Sequence, residues 1–261
     1  MDILIRLFRW DDLAAVVEVT NASADVDHAQ ERYDADSMRD ELTAHNDPEQ
    51  DCYVAVTPDG TLIGHCYVEF HNVEGDQVWG FCWGSVHPDY RRQGIGTRLL
   101  HTAEARFETH VREAAVEPDR AVLIQWFIDM QVPSVVALAQ AEGYKELRGS
   151  YRMSIPLDQP LDPVPMPAGF TLRPFDPARD AQAAYEVDQT SFMDGGGQVA
   201  RMDYEAWRKH YLEDEKFDPA LWLLAYDGDT AAGLALSNAW GRDDPELGWV
   251  GRLGVLRPYR G

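Results

Sequence analysis

Apolar and polar positions along the chain sort into two kinds of short run. Alternating or continuous apolar runs bounded by turn residues predict strands at Ile3–Arg9, Cys52–Val56, Leu62–Phe70, Val78–Val86 and Ala121–Phe127, the last read as buried. Apolar residues recurring every three or four positions predict helices after Asp11, from near Gly94, and over Pro133–Glu142. The middle one is the clearest. Ile95, Leu99, Leu100, Ala103, Phe107 and Val111 form one stripe, and Glu108 and Arg112 make an i,i+4 pair away from it. Asp59-Gly60 is a hairpin turn between the second and third strands. Final strands are expected near Tyr144–Leu147 and Tyr151–Ile155.

The pattern then starts again. Residues 156–168 hold five prolines, which neither a helix nor a central strand accepts, so they read as an extended linker. Beyond it, Leu172-Arg173-Pro174-Phe175 repeats Ile5-Arg6-Leu7-Phe8, and Glu186-Val187 repeats Glu18-Val19. Asp227-Gly228 with Gly233 repeats Asp59-Gly60 with Gly64, and Val255-Leu256-Arg257-Pro258-Tyr259-Arg260 repeats Val86-His87-Pro88-Asp89-Tyr90-Arg91. The offset drifts only from 167 to 169, the mark of a duplicated domain. Strands are expected at Phe170–Pro174, Trp222–Tyr226, Ala231–Ser237 and Trp249–Val255. The expected organisation is a complete α/β domain at 1–155, a linker at 156–168, and the first part of a second domain at 169–261. Roughly 150 residues per domain would make this chain about 1.7 domains. Because the second copy stops at Gly261, the chain is expected to be a fragment, or to have its sheet completed by a partner such as a second copy.

Composition adds exclusions. Net charge is −22, from 45 acids and 23 bases spread over both halves, a surface that repels nucleic acid and anionic membrane and suits a cationic substrate. No run of 18 apolar residues is present, and Met1–Arg6 lacks a basic leader, so neither a membrane span nor a secretory signal is expected. Cys52, Cys66 and Cys82 lie in strand-like runs without a C-x-x-C pair. Buried free thiols and a reducing, cytoplasmic setting follow, with no metal site.

Chemistry concentrates where the long strand Val78–Val86 meets the striped helix, at Arg91-Arg92-Gln93-Gly94-Ile95-Gly96-Thr97. Glycines let backbone approach a ligand, and a helix N-terminus presents free N–H groups and a positive dipole end to an anion. The alternative is a plain glycine turn between strand and helix. A dinucleotide fold would place its glycines after the first strand, and a kinase-type phosphate loop would end in Gly-Lys-Ser/Thr; neither holds here.

Val86-x-Pro88-x-Tyr90-Arg91, the Arg91-x-x-Gly94-x-Gly96 loop and the amphipathic helix together resemble the central motif of the GNAT acyltransferase superfamily, and two such domains resemble its tandem members. The resemblance implies a mixed α/β (α+β) fold with a splayed central sheet flanked by helices. It implies acetyl-CoA as co-substrate, with Gly84, Ser85 and Val86 on the pantetheine arm and Arg91, Arg92, Gln93, Gly94, Ile95, Gly96 and Thr97 on the pyrophosphate. It further implies an amine of a small molecule or peptide as acceptor.

The pattern is broken at the proton-handling positions. A tyrosine that serves many relatives as general acid corresponds to Ala139, and an asparagine upstream to Val132. A glutamate that serves as base corresponds to Gly80, and to Trp249 in the second copy. Candidate replacements are Glu69, Ser134 and Glu246, with His71 beside Glu69. The competing readings are exposed strand-end residues for Glu69 and His71, and a helix-capping hydroxyl for Ser134. Trp79, Phe81 and Trp83 share one strand face, and Trp240 and Trp249 sit in similar territory; they suit either core packing or a wall for a substrate amine. An N-acyltransferase and a non-catalytic acyl-CoA-binding protein both remain open on this reading.

Overall fold

The structure, a computed structural model, describes residues 2–29, 32–44, 47–71, 77–151, 153–160, 162–193, 201–214, 217–239 and 248–260. Two units, Met1–Tyr151 and Arg152–Gly261, each carry their own sheet and core.

The first unit runs β1 (Leu4–Leu7), α1 (Leu13–Asp27), α2 (Ala35–Thr43), α3 (Pro48–Asp51), β2 (Cys52–Val56), β3 (Leu62–His71), β4 (Gln77–Val86), α4 (Ile95–Glu113), β5 (Ala121–Gln125) and α5 (Pro133–Ala141). Its sheet has the order β1-β2-β3-β4-β5, antiparallel up to β4, with β5 parallel to β4. Strand alternation divides the side chains between two cores. Cys52, Val54 and Val56 pack with Leu13, Val16, Met38 and Leu42 under α1 and α2. Ala55, Cys66, Val68 and Cys82 pack against Ile95, Leu99, Leu100, Ala103 and Phe107 of α4. The α4 stripe is thus the buried face, with Val111 partly covered, while Glu108 and Arg112 pair outside it at 3.8 Å. Each large side chain so buried contributes roughly 1.5–3 kcal/mol. All three cysteines are free and buried; burial pushes Cys82 up to about 12 and raises Cys52 and Cys66 as well.

The second unit runs β6 (Phe170–Pro174), α6 (Pro177–Met193), α7 (Tyr204–Leu212), β7 (Trp222–Asp227), β8 (Thr230–Ala239) and β9 (Gly248–Val255). Its four strands pair antiparallel in sequence order around a core of Ala184, Trp207, Trp222 and Leu224. Duplication shows in small irregularities. Register slips at Ala55/Val56 in one unit and Ala225/Tyr226 in the other. His87 N–H donates to Ile63 O at 2.9 Å, and Leu256 N–H donates to Ala232 O at 2.9 Å. Arg91 Nε donates to Val86 O, and Arg260 Nε to Val255 O.

Three expectations need correction. Among the described residues, no strand forms at Tyr144–Leu147 or near Tyr151–Ile155; Leu147, Tyr151, Met153 and Ile155 are exposed. Their alternation satisfies the local rule, but they remain outside the sheet, which ends at β5. The strand at Ala121 is not buried: it stops at Gln125, and Ala121, Val122 and Leu123 face outward at the sheet's edge. Glu69 is not an exposed strand-end residue; it is 8% exposed and paired with His71.

Candidate active site

The site is built on a strand that loses one of its neighbours. β4 pairs with β5 from Gln77↔Ala121 to Phe81↔Gln125, and there β5 ends. β4 continues to Val86, held by β3 through His65↔Ser85 and Gly64↔Val86. The β5-side edge of Cys82–Val86 therefore has no strand partner among the described residues, and its polar groups face a cavity of about 710 Å³. Gly84 is required at this point: a Cβ there would lie 2.3 Å from His65 O.

Beyond β4, a short turn at Pro88–Tyr90 leads into the loop and α4. Arg92 and Gly94 both take positive φ, 63° and 78°. The first intrahelical bond is Arg98 N–H to Gly94 O at 3.1 Å, so the N–H groups of Ile95, Gly96 and Thr97 precede it and point out of the helix end. A Cβ at Gly94 meets nothing within 4 Å, whereas one at Gly96 would lie 3.3 Å from Leu138 on α5. Gly84, Ser85, Val86, Arg91, Arg92, Gly94, Ile95, Gly96 and Thr97 all line the cavity, and Gln93 is exposed beside it. The two arginines differ in role. Arg91 donates to both carboxylate oxygens of Asp27, at 2.7 and 2.8 Å, to Ser23 Oγ at 2.6 Å, and to Val86 O. Its charge is spent on α1, and Arg92 is the exposed cation at the loop.

The proton-handling candidates separate. Glu69 accepts from His71 Nε2 at 2.9 Å, His71 stacks on Trp79 at 4.0 Å, and none of the three lines the cavity. Ser134 does line it, near the start of α5. Ala139 is buried and off the cavity. Gly80 faces α4 so closely that a Cβ would lie 2.4 Å from the Phe107 ring. Glu246 and Trp240 lie outside the described residues.

Sequence reasoning passed over His65. It is 3% exposed, lines the cavity beside Trp83 with ring centroids 5.3 Å apart, and is bonded through Nε2 to Thr20 of α1 at 2.9 Å. Burial holds its pKa down to about 4, so it is neutral at physiological pH. The available signal was a histidine in an otherwise apolar strand run, one register position from the unpaired edge.

Residues 13–127, from α1 to just beyond β5, match the model of the acetyltransferase (GNAT) family. The first unit is a GNAT domain. A GCN5-related N-acetyltransferase from Sphaerobacter thermophilus has a similar fold, with TM-score 0.77 and 28% identity, covering 99% of this chain and 78% of that one. Similar too are the mycothiol acetyltransferase of Salinispora tropica, 31% identical over 77% of this chain and 60% of the relative, and that of Saccharopolyspora erythraea, 30% identical over 72% and 61%. The chain thus spans about three-fifths of the length of these relatives. The GNAT resemblance expected from the Arg91-x-x-Gly94-x-Gly96 loop holds, and the splayed mixed sheet is its fold. No helix among the described residues is long and apolar enough to cross a membrane.

Proposed function

We propose that the first unit binds acetyl-CoA in the β4 splay and transfers its acetyl group to an amine of a small molecule or peptide. The observation that carries this reading is the unpaired Cys82–Val86 edge leading directly into the open N-terminus of α4. An extended pantetheine arm with amide groups would complete the edge as a strand does, and a pyrophosphate would meet the N–H groups of Ile95, Gly96 and Thr97 with Arg92 beside them. The relatives named mycothiol acetyltransferase support acetyl transfer to a small molecule.

Direct attack by the amine on the thioester carbonyl is favoured over an acyl-cysteine. Cys66 and Cys82 line the cavity, but burial keeps both thiols protonated at neutral pH. A free N–H on the splayed edge of β4 is the group to stabilise the developing oxyanion. Positioning an amine against a thioester supplies effective molarities of roughly 10⁵–10⁸ M, so the reaction tolerates Ala139 and Gly80 in place of the usual acid and base.

Those same two residues favour a second reading, a non-catalytic acyl-CoA-binding or scaffold protein. Incubation with acetyl-CoA and a panel of amines, followed by free-thiol release, separates them. Turnover on at least one amine supports the enzyme. Tight acetyl-CoA binding without turnover leaves the binding protein, and no acetyl-CoA binding removes both.

A further inference from the structure

We propose that His65 is the residue that receives the acceptor amine, its Nδ1 taking a hydrogen bond from the amine N–H. This rests on the first unit being an amine acetyltransferase. The ring's orientation is fixed from behind. Thr20 Oγ1 donates to Val16 O at 2.9 Å, one turn back on α1, so the same oxygen is an acceptor toward His65 and the proton resides on Nε2. The lone pair is then on Nδ1. Among the described residues Nδ1 takes no hydrogen bond, and the ring lines the cavity.

A buried acceptor without a donor is costly, and a side chain held this rigidly without one is a site waiting for a donor. The donor it suits is defined by its surroundings. Trp83 lies against His65, and Tyr33 lies 5.9 Å from Trp83, giving the amine an apolar, aromatic approach. His65 pairs in register with Ser85, so it stands level with the segment of β4 that would carry the thioester arm. The neutral ring matches this role, because an imidazolium would have no lone pair to offer. An N–H bonded to Nδ1 would hold the amine in place with its own lone pair free for the carbonyl carbon. The acceptor class is therefore a primary or secondary amine carried on an apolar or aromatic body.

The test uses the full chain with acetyl-CoA and whichever amine of the panel turns over best. His65→Phe keeps the ring's shape and removes the acceptor; His65→Asn keeps an acceptor atom near the place of Nδ1. The expected result is a rise of about tenfold or more in the KM for the amine in His65→Phe, a rise of no more than about threefold in His65→Asn, and acetyl-CoA affinity unchanged in both. Thr20→Val, which frees the ring to take its other tautomer, should raise the amine KM by an intermediate factor with the fold intact; it serves if His65→Phe does not fold. An unchanged amine KM in His65→Phe and Thr20→Val overturns the assignment while leaving the acetyltransferase standing. Absence of turnover in the unaltered chain overturns the acetyltransferase, and the assignment with it.

Discussion

Arg91 grips Asp27 through two parallel hydrogen bonds, 2.7 and 2.8 Å, and so ties the first residue of the glycine loop to the C-terminal end of α1. Both side chains are about four-fifths covered, at 20% and 19% exposure, which places the pair between a surface bridge and a buried one. The arginine expected at the pyrophosphate is thereby held against α1 while it lines the cavity. Asp27→Asn and Arg91→Gln should each lower stability by about 1–3 kcal/mol, and the double variant by less than their sum. Urea unfolding of the three variants checks this. Acetyl-CoA affinity should fall only through the loosened loop, by about tenfold or less, rather than being lost.

Gly94→Asp should abolish acetyl-CoA binding and leave the fold in place. A Cβ there meets nothing within 4 Å, so the site has room, and the positive φ of 78° costs about 1 kcal/mol. Its carboxylate would stand where the pyrophosphate is proposed to sit. Gly94→Ala, with the same backbone cost and no charge, should retain most of the affinity. Calorimetric titration of both distinguishes charge from strain, and equal losses would refute the cradle.

Restoring a glutamate at Gly80 should not restore a base. The position faces α4, where a Cβ would stand 2.4 Å from the Phe107 ring and 2.8 Å from Glu69 O. Overpacking and an unpaired buried carboxylate together predict a loss of about 3 kcal/mol or more, read from the denaturation midpoint, with no gain in thiol release.

His65 makes stability depend on acid. Its folded pKa of about 4 lies below the ordinary value of 6.5, so the unfolded chain takes up its proton first as pH falls. The stabilisation is complete above pH 6.5 and is lost progressively down to about pH 4, an effect on the order of 3 kcal/mol for so large a difference. Unfolding measured at pH 7 and pH 5 should show a steeper loss in the unaltered chain than in His65→Phe, which has no proton to take up.

In the second unit Asp188 is fully buried and accepts from Trp207 Nε1 at 3.0 Å, from Gln189 Nε2 at 2.9 Å and from Arg252 Nε. Asp188→Ala would leave those donors facing an apolar gap. A loss of about 3–5 kcal/mol is expected, visible as an early unfolding transition confined to that unit.

Much of this was legible in the residues. The Ile95–Phe107 stripe carries a period that only a helix packed on one face satisfies, and the duplicated Val86–Arg91 and Val255–Arg260 segments carry their matching Arg-to-carbonyl bonds. What was not legible depends on partners distant in sequence. Tyr144–Ile155 alternates like a hairpin but adds no strand beside β5. The pairing of Arg91 could not be read because its partner, Asp27, lies 64 residues away. His65 looked like one more strand residue until α1 brought Thr20 across it from 45 positions away. Glu69 acquired a role in a buried pair rather than in the cavity: it shares its face of β3 with His65 but stands opposite Phe81, where β4 is still paired with β5.

The early end of β5 has one more consequence. A sheet normally hides its hydrogen-bonding groups from water with more chain; here, past Gln125, none of the described residues supplies any. The acetyl-CoA arm proposed to lie along Cys82–Val86 would act as a strand without being polypeptide. On the proposed reading the first unit's sheet is completed by an element borrowed from solution, so that ligand exchange and local repair of the fold become one event.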